Sequence, residues 1–201
     1  MKNDLHLVLH GLAIKKHATA EAIAGIIGIE TARVAALLAE SVAKGRVVEA
    51  KGKYSLQPMA RIALESDYSR YCSELRENQE FVRCYEDFEV VNTALKTLIT
   101  DWQVVDIAGE RVANDHTNKE YDAKIIDRLG DLHERAERVL SAFARHLPRL
   151  AIYRDKLLSA LEKAEDGALE WVSDARIESY HTLWFELHED LLRMLGRTRV
   201  E

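Results

Sequence analysis

Residues 19–47 read TAEAIAGIIGIETARVAALLAESVAKGRV, and this stretch decides the fold of the first part of the chain. Ala24 is small enough to let two helices cross closely, and Gly28 offers the permissive backbone that a tight turn between helices requires. Val34 and Leu37 lie three residues apart, which places both on one face of the next helix. The stretch therefore predicts two helices joined by a glycine turn, the helix-turn-helix arrangement.

The flanking sequence extends this prediction to three helices followed by a hairpin. The expected elements are a helix from Leu5 to about Lys16, a helix from Thr19 as N-cap through Ile27, a helix from Glu30 or Thr31 to Lys44, two β-prone segments at 46–50 and 54–56, and a helix that begins at Pro58. Gly45 suits the end of the third helix, and Gly52 suits the turn of the hairpin.

Composition favours a helical globular chain. Of 201 residues, 47% are hydrophobic and 31% are charged, and two prolines and nine glycines leave few helix breakers. No apolar run approaches the roughly 20 residues that span a bilayer, and the first ten residues lack the regions of a signal peptide. Cys72 and Cys84 suit reduced thiols, so we expect a cytoplasmic protein with no membrane partner.

Charge divides the chain into two parts. Residues 1–63 hold nine lysines and arginines against five acidic residues, whereas residues 64–201 hold 19 against 29. A basic module joined to an acidic one is typical of a nucleic-acid binder with a separate sensing or dimerising domain. We therefore expect a mainly α fold with two domains, a winged helix-turn-helix with a small β-hairpin wing at 1–63 and an all-α helical bundle at 64–201.

The second domain is expected to consist of helices and loops alone. The predicted elements are one or two helices over residues 59–102, a long loop at Gln103–Lys119, a helix from about Glu120 to Leu147, a helix over roughly Arg149–Glu165, and a last helix at Ala175–Leu195. Gly109 and the polar run from Asn114 to Asn118 indicate the loop. Pro148 ends the predicted helix from about Glu120 to Leu147.

The first module resembles the winged helix-turn-helix domains of bacterial transcription regulators of the MarR-like group. The resemblance covers about residues 5–65 and is carried by Ala24, Gly28, Val34, Leu37, Gly45 and the hairpin tip Lys51-Gly52-Lys53. In that family the second helix of the motif enters the major groove of DNA, and the wing contacts phosphate or the minor groove. The resemblance implies double-stranded DNA as a partner.

Carried onto this chain, the resemblance directs Glu30, Thr31, Ala32, Arg33, Ala35 and Ala36 towards the groove. Arg33 is the long hydrogen-bond donor among them and Thr31 can assist, because such donors read base edges. Contacts with the phosphate backbone would come from the basic side chains Lys15, Lys16, Arg46, Lys51 and Lys53. The alternative is a winged helix that docks protein or dimerises.

Histidines and aromatic residues on apolar helix faces indicate a pocket in the second domain. A pocket for a small anionic ligand would be formed by Trp102, Asn114, His116, His133, Tyr180, His181, Trp184 and His188. Three of these histidines, His133, His181 and His188, also permit a metal site. The third interpretation is ordinary core packing, in which the histidines are satisfied inside the bundle and no cofactor is bound.

Three segments are similar to a little-characterised group of bacterial proteins. They are TDWQV at 100–104, NDHT at 114–117 and YHTLWFELHEDL at 180–191. Members of that group are labelled transcriptional regulators and are associated with phosphoenolpyruvate-utilising, pyruvate phosphate dikinase-like enzymes. The resemblance implies pyruvate or phosphoenolpyruvate as an effector, or direct docking onto such an enzyme.

Catalytic motifs are missing from the sequence, which has no G-x-S-x-G, P-loop, G-x-G-x-x-G or C-x-x-C pattern. We therefore expect a protein that is not an enzyme. The favoured function is DNA-binding transcription regulation by a homodimer, whose bundle dimerises or senses an effector. The alternative is a winged-helix interaction protein that binds no DNA and regulates a phosphoenolpyruvate-utilising metabolic enzyme.

Overall fold

The computed structural model describes residues 4–107 and 109–199, with only the backbone described at residue 107. These residues form a mainly helical structure with two short hairpins. In chain order the elements are α1 (Asp4–Lys15), α2 (Ala20–Ile27), α3 (Thr31–Ala43), β1 (Val47–Ala50), β2 (Lys53–Leu56), α4 (Pro58–Tyr71), α5 (Ser73–Glu77), α6 (Gln79–Gln103), β3 (Val104–Ile107), β4 (Glu110–Ala113), α7 (Lys119–His146), a 3-10 turn (Pro148–Leu150), α8 (Ala151–Glu165), α9 (Glu170–Ser173) and α10 (Tyr180–Leu195).

The chain divides into two compact units. Within the described residues, the first unit comprises 4–82 and 186–199, and the second comprises 83–185. The long helices α6 and α10 each contribute residues to both units. The boundary that the sequence predicts after residue 63 concerns domains and stays a prediction.

Helices α2 and α3 occupy the positions that the sequence predicts. The Thr19 hydroxyl accepts a hydrogen bond from the backbone N–H of Ala22, so this residue caps α2 as expected. Gly28 ends α2 with φ 72°, a left-handed conformation that glycine adopts without strain. The chain then turns by 119° into α3, where Val34 and Leu37 are buried.

The hairpin β1–β2 follows α3, as predicted. Val47 pairs with Leu56 at its base, and both side chains are buried. Lys51 and Gly52 form its turn with φ 53° and 76°, the two positive values that a type I′ turn requires. Ala18 also pairs with Tyr54, through backbone hydrogen bonds of 2.8 and 3.2 Å, and no sequence signal predicts this pairing. This bridge fixes the segment between α1 and α2 to β2.

Three helices, instead of the one or two predicted, fill residues 58–103. Helix α4 begins at Pro58, as expected, and ends at Tyr71, with Cys72 as its C-cap. The short α5 then stops before Asn78, whose side chain accepts hydrogen bonds from the N–H groups of Glu80 and Phe81. Asn78 therefore caps the start of α6 and separates it from α5.

The long loop predicted at Gln103–Lys119 is wrong, because most of it forms the hairpin β3–β4. Val104 pairs with Ala113 and Val105 with Val112. The Asp106 carboxylate accepts a hydrogen bond of 2.8 Å from the N–H of Gly109, which has φ 89°. β-Branched residues therefore pair across a glycine turn here, and the prediction of helices and loops alone after residue 63 fails at this hairpin.

Helix α10 starts five residues later than the predicted Ala175, at Tyr180. Asp174 accepts a hydrogen bond from the N–H of Arg176, which makes a turn where the helix was expected to begin. Ser179 is the actual N-cap, since its hydroxyl accepts from the N–H of Thr182.

Among the described residues no single helix is long and apolar enough to cross a membrane, and α2 with α3 meets this criterion only as a sharply bent pair.

Candidate functional site

The outward face of α3 is small and weakly polar. Thr31, Ala32, Arg33 and Ala36 are exposed, and Ala35 is half-buried. Glu30 precedes the helix and is exposed as well. The face that the resemblance directs towards DNA is therefore accessible, and Arg33 is its one long hydrogen-bond donor.

Arg33 is paired within the chain. Its Nε donates a hydrogen bond of 3.1 Å to the carboxylate of Asp4, at the start of α1. Both side chains are about half exposed, at 55% and 51%. Such a surface ion pair contributes at most about 1 kcal/mol, so a phosphate or a base can displace the Asp4 carboxylate.

The other predicted DNA contacts lie on the hairpin β1–β2 and immediately before it. Arg46, Lys51 and Lys53 are exposed. Glu49, on the same hairpin, accepts a hydrogen bond from the N–H of Gly52 and lowers the net positive charge of the tip. The three basic side chains are therefore accessible at the surface, and their contacts with DNA stay a prediction.

Lys15 is not available for the phosphate contact predicted for it. Its ammonium lies 2.9 Å from the Glu186 carboxylate, and both side chains are only 9% exposed. A buried ion pair of this kind holds the charge inside the first unit. Lys16 is exposed, and its contact with phosphate stays a prediction.

Three of the predicted pocket residues form a polar cluster in the second unit. The Asn114 side-chain amide donates hydrogen bonds to the Trp102 carbonyl at 3.0 Å and to the Asp122 carboxylate at 2.9 Å. The Nδ1 of His116 lies 3.1 Å from Asp122, and its ring packs at 4.4 Å from the ring of Trp102. His116 has φ 59°, an uncommon conformation for a residue with a side chain, and these contacts hold it there.

A cavity of about 410 Å³ adjoins this cluster. Its lining includes the charged or titratable residues His116, Lys119, Asp122, Asp127 and Glu165. The volume lies within the range of small-molecule sites, about 300–1,000 Å³. His116 is the predicted pocket residue that lines it.

Tyr180, Trp184 and His133 lie in the core of the second unit. The ring of Trp184 stacks on Phe88 at 4.8 Å, and its indole N–H donates to the Asn92 side-chain oxygen at 3.0 Å. The Tyr180 hydroxyl lies 3.1 Å from Nδ1 of His133. Burial lowers the pKa of His133 and raises the pKa of Tyr180, so both are neutral at pH 7.

The three histidines of the metal alternative are not brought together. His133 is buried and His181 is half-buried in the second unit, whereas His188 is buried in the first unit. Within residues 4–107 and 109–199, no group of three His, Cys, Asp or Glu side chains could hold a metal ion. The metal alternative therefore gains no support.

A buried polar network in the first unit was not anticipated. His10 lies 2.7 Å from the Tyr68 hydroxyl and 2.8 Å from the Asp190 carboxylate. His6 packs beside it, with ring centroids 5.3 Å from Tyr68 and 4.4 Å from Tyr71. Burial, with the neighbouring His10, lowers the pKa of His6 to about 4, and burial raises the pKa of Tyr68. This network joins α1, α4 and α10.

The sequence signal for this network is weak. His6 and His10 are four residues apart on one helical face, which marks an i, i+4 pair but names no partner. The sequence does not predict that Asp122 is buried beside His116 either. An acidic residue in the first turn of a helix is normally exposed.

Comparison with known proteins gives no relative. The chain matches no family model, no curated protein and no solved structure.

Proposed function

We propose that the protein is a DNA-binding transcriptional regulator whose first 63 residues form a winged helix-turn-helix of the MarR-like kind. The observation that carries the proposal is the 119° turn between α2 and α3, with Gly28 at the junction and the outward face of α3 exposed. Helix-turn-helix motifs join their two helices at about 90–120° through a short turn.

The hairpin supports the same proposal. A winged helix places a β-ribbon directly after its recognition helix, and β1–β2 follows α3 with exposed Lys51 and Lys53 at its tip. The bridge between Ala18 and Tyr54 ties this ribbon to the segment before α2. Regulators of this type bind DNA as two-fold dimers, so a homodimer with its second unit dimerising or sensing an effector completes the proposal.

Binding to DNA at two salt concentrations tests the proposal. Fluorescence anisotropy with labelled fragments of the source genome, at about 50 and 200 mM salt, should reveal fragments that bind more tightly than the rest and weaken with salt. Arg33→Ala should lower affinity for those fragments more than for random DNA, because the guanidinium would contact bases. Lys51→Ala with Lys53→Ala should reduce the salt dependence for every sequence.

Lys124→Ala is the matched control, because this exposed lysine lies on α7 in the second unit. It should leave DNA affinity unchanged. Salt-sensitive binding that Lys124→Ala weakens as much as Lys51→Ala would contradict an interface on the hairpin.

The second candidate function is protein docking by the same module. The alanines of α3 and the pairing of Arg33 with Asp4 favour it, since alanine donates no hydrogen bond to a base edge and the long donor of this face already has a partner. The partner implied by the resemblance is a phosphoenolpyruvate-utilising enzyme. Absence of selective DNA binding, together with co-purification of such an enzyme, would support this function and contradict the first.

A further inference from the structure

The cavity of the second unit carries charges of both signs at its two ends. Lys119 begins α7, and Asp127 lies eight residues further along the same helix. At about 1.5 Å per residue, the two positions are about 12 Å apart along the axis. Glu165, at the end of α8, lies beyond Asp127, because its carboxylate oxygen is 3.4 Å from where a Cβ on Gly130 would stand.

The wall between these ends is mostly apolar, and its polar residues, His116 and Asp122, contact each other at 3.1 Å. Ala123 and Ile126 line it from α7, and Ala164 and Leu169 line it from the end of α8 and the segment after it. A ligand that fills the cavity therefore meets a cation, then four apolar side chains beside the internally bonded Asp122, then two further carboxylates. The positive end of the helix dipole lies at the Lys119 end and favours an anionic group there.

The charged groups at the two ends are open to a ligand. Within the described chain, Lys119, Asp127 and Glu165 form no ion pair, whereas the buried Asp122 carboxylate accepts a hydrogen bond from the Asn114 amide and lies 3.1 Å from Nδ1 of His116. The Asp122 carboxylate therefore already has partners inside the protein. The remaining cavity charges, one positive and two negative, lack counter-ions of their own and match a ligand that carries both signs.

We infer that the cavity binds a small linear zwitterion, with a carboxylate at one end, a primary ammonium at the other and a short methylene chain between them. ω-Amino acids are this chemical class. Lys119 holds the carboxylate, Asp127 and Glu165 hold the ammonium, and the four apolar side chains contact the methylenes. The inference gives the effector-sensing role of the proposed regulator a ligand class, and this differs from the anionic metabolite that the sequence suggested.

Isothermal titration of the full chain with 6-aminohexanoate tests the inference directly. Hexanoate and hexylamine are probes that each keep one charge, and 4-aminobutyrate keeps both on a shorter chain. 6-Aminohexanoate should bind at least about tenfold more tightly than any of the three, because each of them loses one set of contacts. Equal binding of hexanoate or hexylamine, or no binding of 6-aminohexanoate at millimolar concentration, would overturn the inference.

Variants locate the site. Lys119→Met and Asp127→Asn should each weaken the binding of 6-aminohexanoate about three- to tenfold. Lys119→Met should affect the binding of hexylamine less, and Asp127→Asn should affect the binding of hexanoate less. Lys124→Met and Glu162→Gln are exposed neighbours on the same two helices, and they should leave affinity unchanged. Equal weakening by the control pair would place the ligand elsewhere. No DNA is present in these titrations, so their failure leaves the proposal of DNA binding intact, and failure of DNA binding leaves this inference intact.

Discussion

His10 and Asp190 are 180 positions apart in the sequence, yet their side chains meet at 2.8 Å with no exposed surface on either. The other imidazole nitrogen of His10, Nδ1, lies 2.7 Å from the hydroxyl of Tyr68. The first unit therefore depends on the end of α10 as well as on residues 4–82. A polar pair in this position is costly to break, because either partner alone would remain buried without its charge or hydrogen-bond complement.

We expect Asp190→Ala to lower the free energy of unfolding by about 3–5 kcal/mol, the usual cost of removing one partner of a buried pair. Urea denaturation followed by circular dichroism measures it. Asp155→Ala is the control, since Asp155 pairs with Arg154 on the exposed side of α8, and this change should cost less than about 1 kcal/mol. Equal losses in the two variants would show that the buried pair contributes nothing special.

Acid should destabilise the protein through His6. Burial and the neighbouring His10 lower its pKa from 6.5 to about 4 in the folded chain, so the unfolded chain binds more protons between these values. The free energy of unfolding is therefore unaffected by His6 above pH 6.5 and falls as the pH drops towards 4, by up to about 3 kcal/mol.

Denaturation at pH 7, 5.5 and 4.5 would measure this dependence. His6→Leu should flatten it, whereas His17→Leu, which replaces an exposed histidine, should keep it. The same slope in wild type and His6→Leu would rule out His6 as its source.

Trp184 should behave as a core residue. Trp184→Phe keeps the stacking on Phe88 but removes the donor to Asn92, so we expect a loss of about 1–3 kcal/mol in the free energy of unfolding. Trp171 is the control, because its half-buried ring contacts the Lys163 ammonium at 3.5 Å and makes no such core bond in the described chain. Trp171→Phe should cost about 1 kcal/mol or less. A larger loss at Trp171 would contradict this assignment of the core.

Local signals explain which parts of the fold the sequence could predict. Thr19, Gly28 and Pro58 each act on the backbone within a few residues, and α2, α3 and α4 begin or end where these residues predict. The sequence does not predict the hairpin β3–β4, because Gly109 and the polar run from Asn114 are typical of a loop. The β-branched residues before Gly109 were the signal for a strand.

Side-chain partners could be predicted less well than helices. The five-residue error at the start of α10 has its cause in Asp174, which makes a turn with Arg176 where the helix is expected to begin. A single sequence also carries no information that His10 meets Asp190 or that His116 meets Asp122. Such pairs depend on how elements pack, and the periodicity of one helix cannot specify a partner on another.

The ion pair between Asp4 and Arg33 gives the sharpest test of the DNA-binding proposal. Asp4→Asn frees the guanidinium from its carboxylate, so DNA affinity should rise, by up to about fivefold for a pair worth 1 kcal/mol. Asp155→Asn removes the same charge from the second unit and corrects for the change in net charge. The double variant Asp4→Asn with Arg33→Ala should lose the gain, because no guanidinium remains to be released. A gain that persists in the double variant would mean that Asp4 acts through long-range repulsion of DNA, and Arg33 would then have no place in the interface.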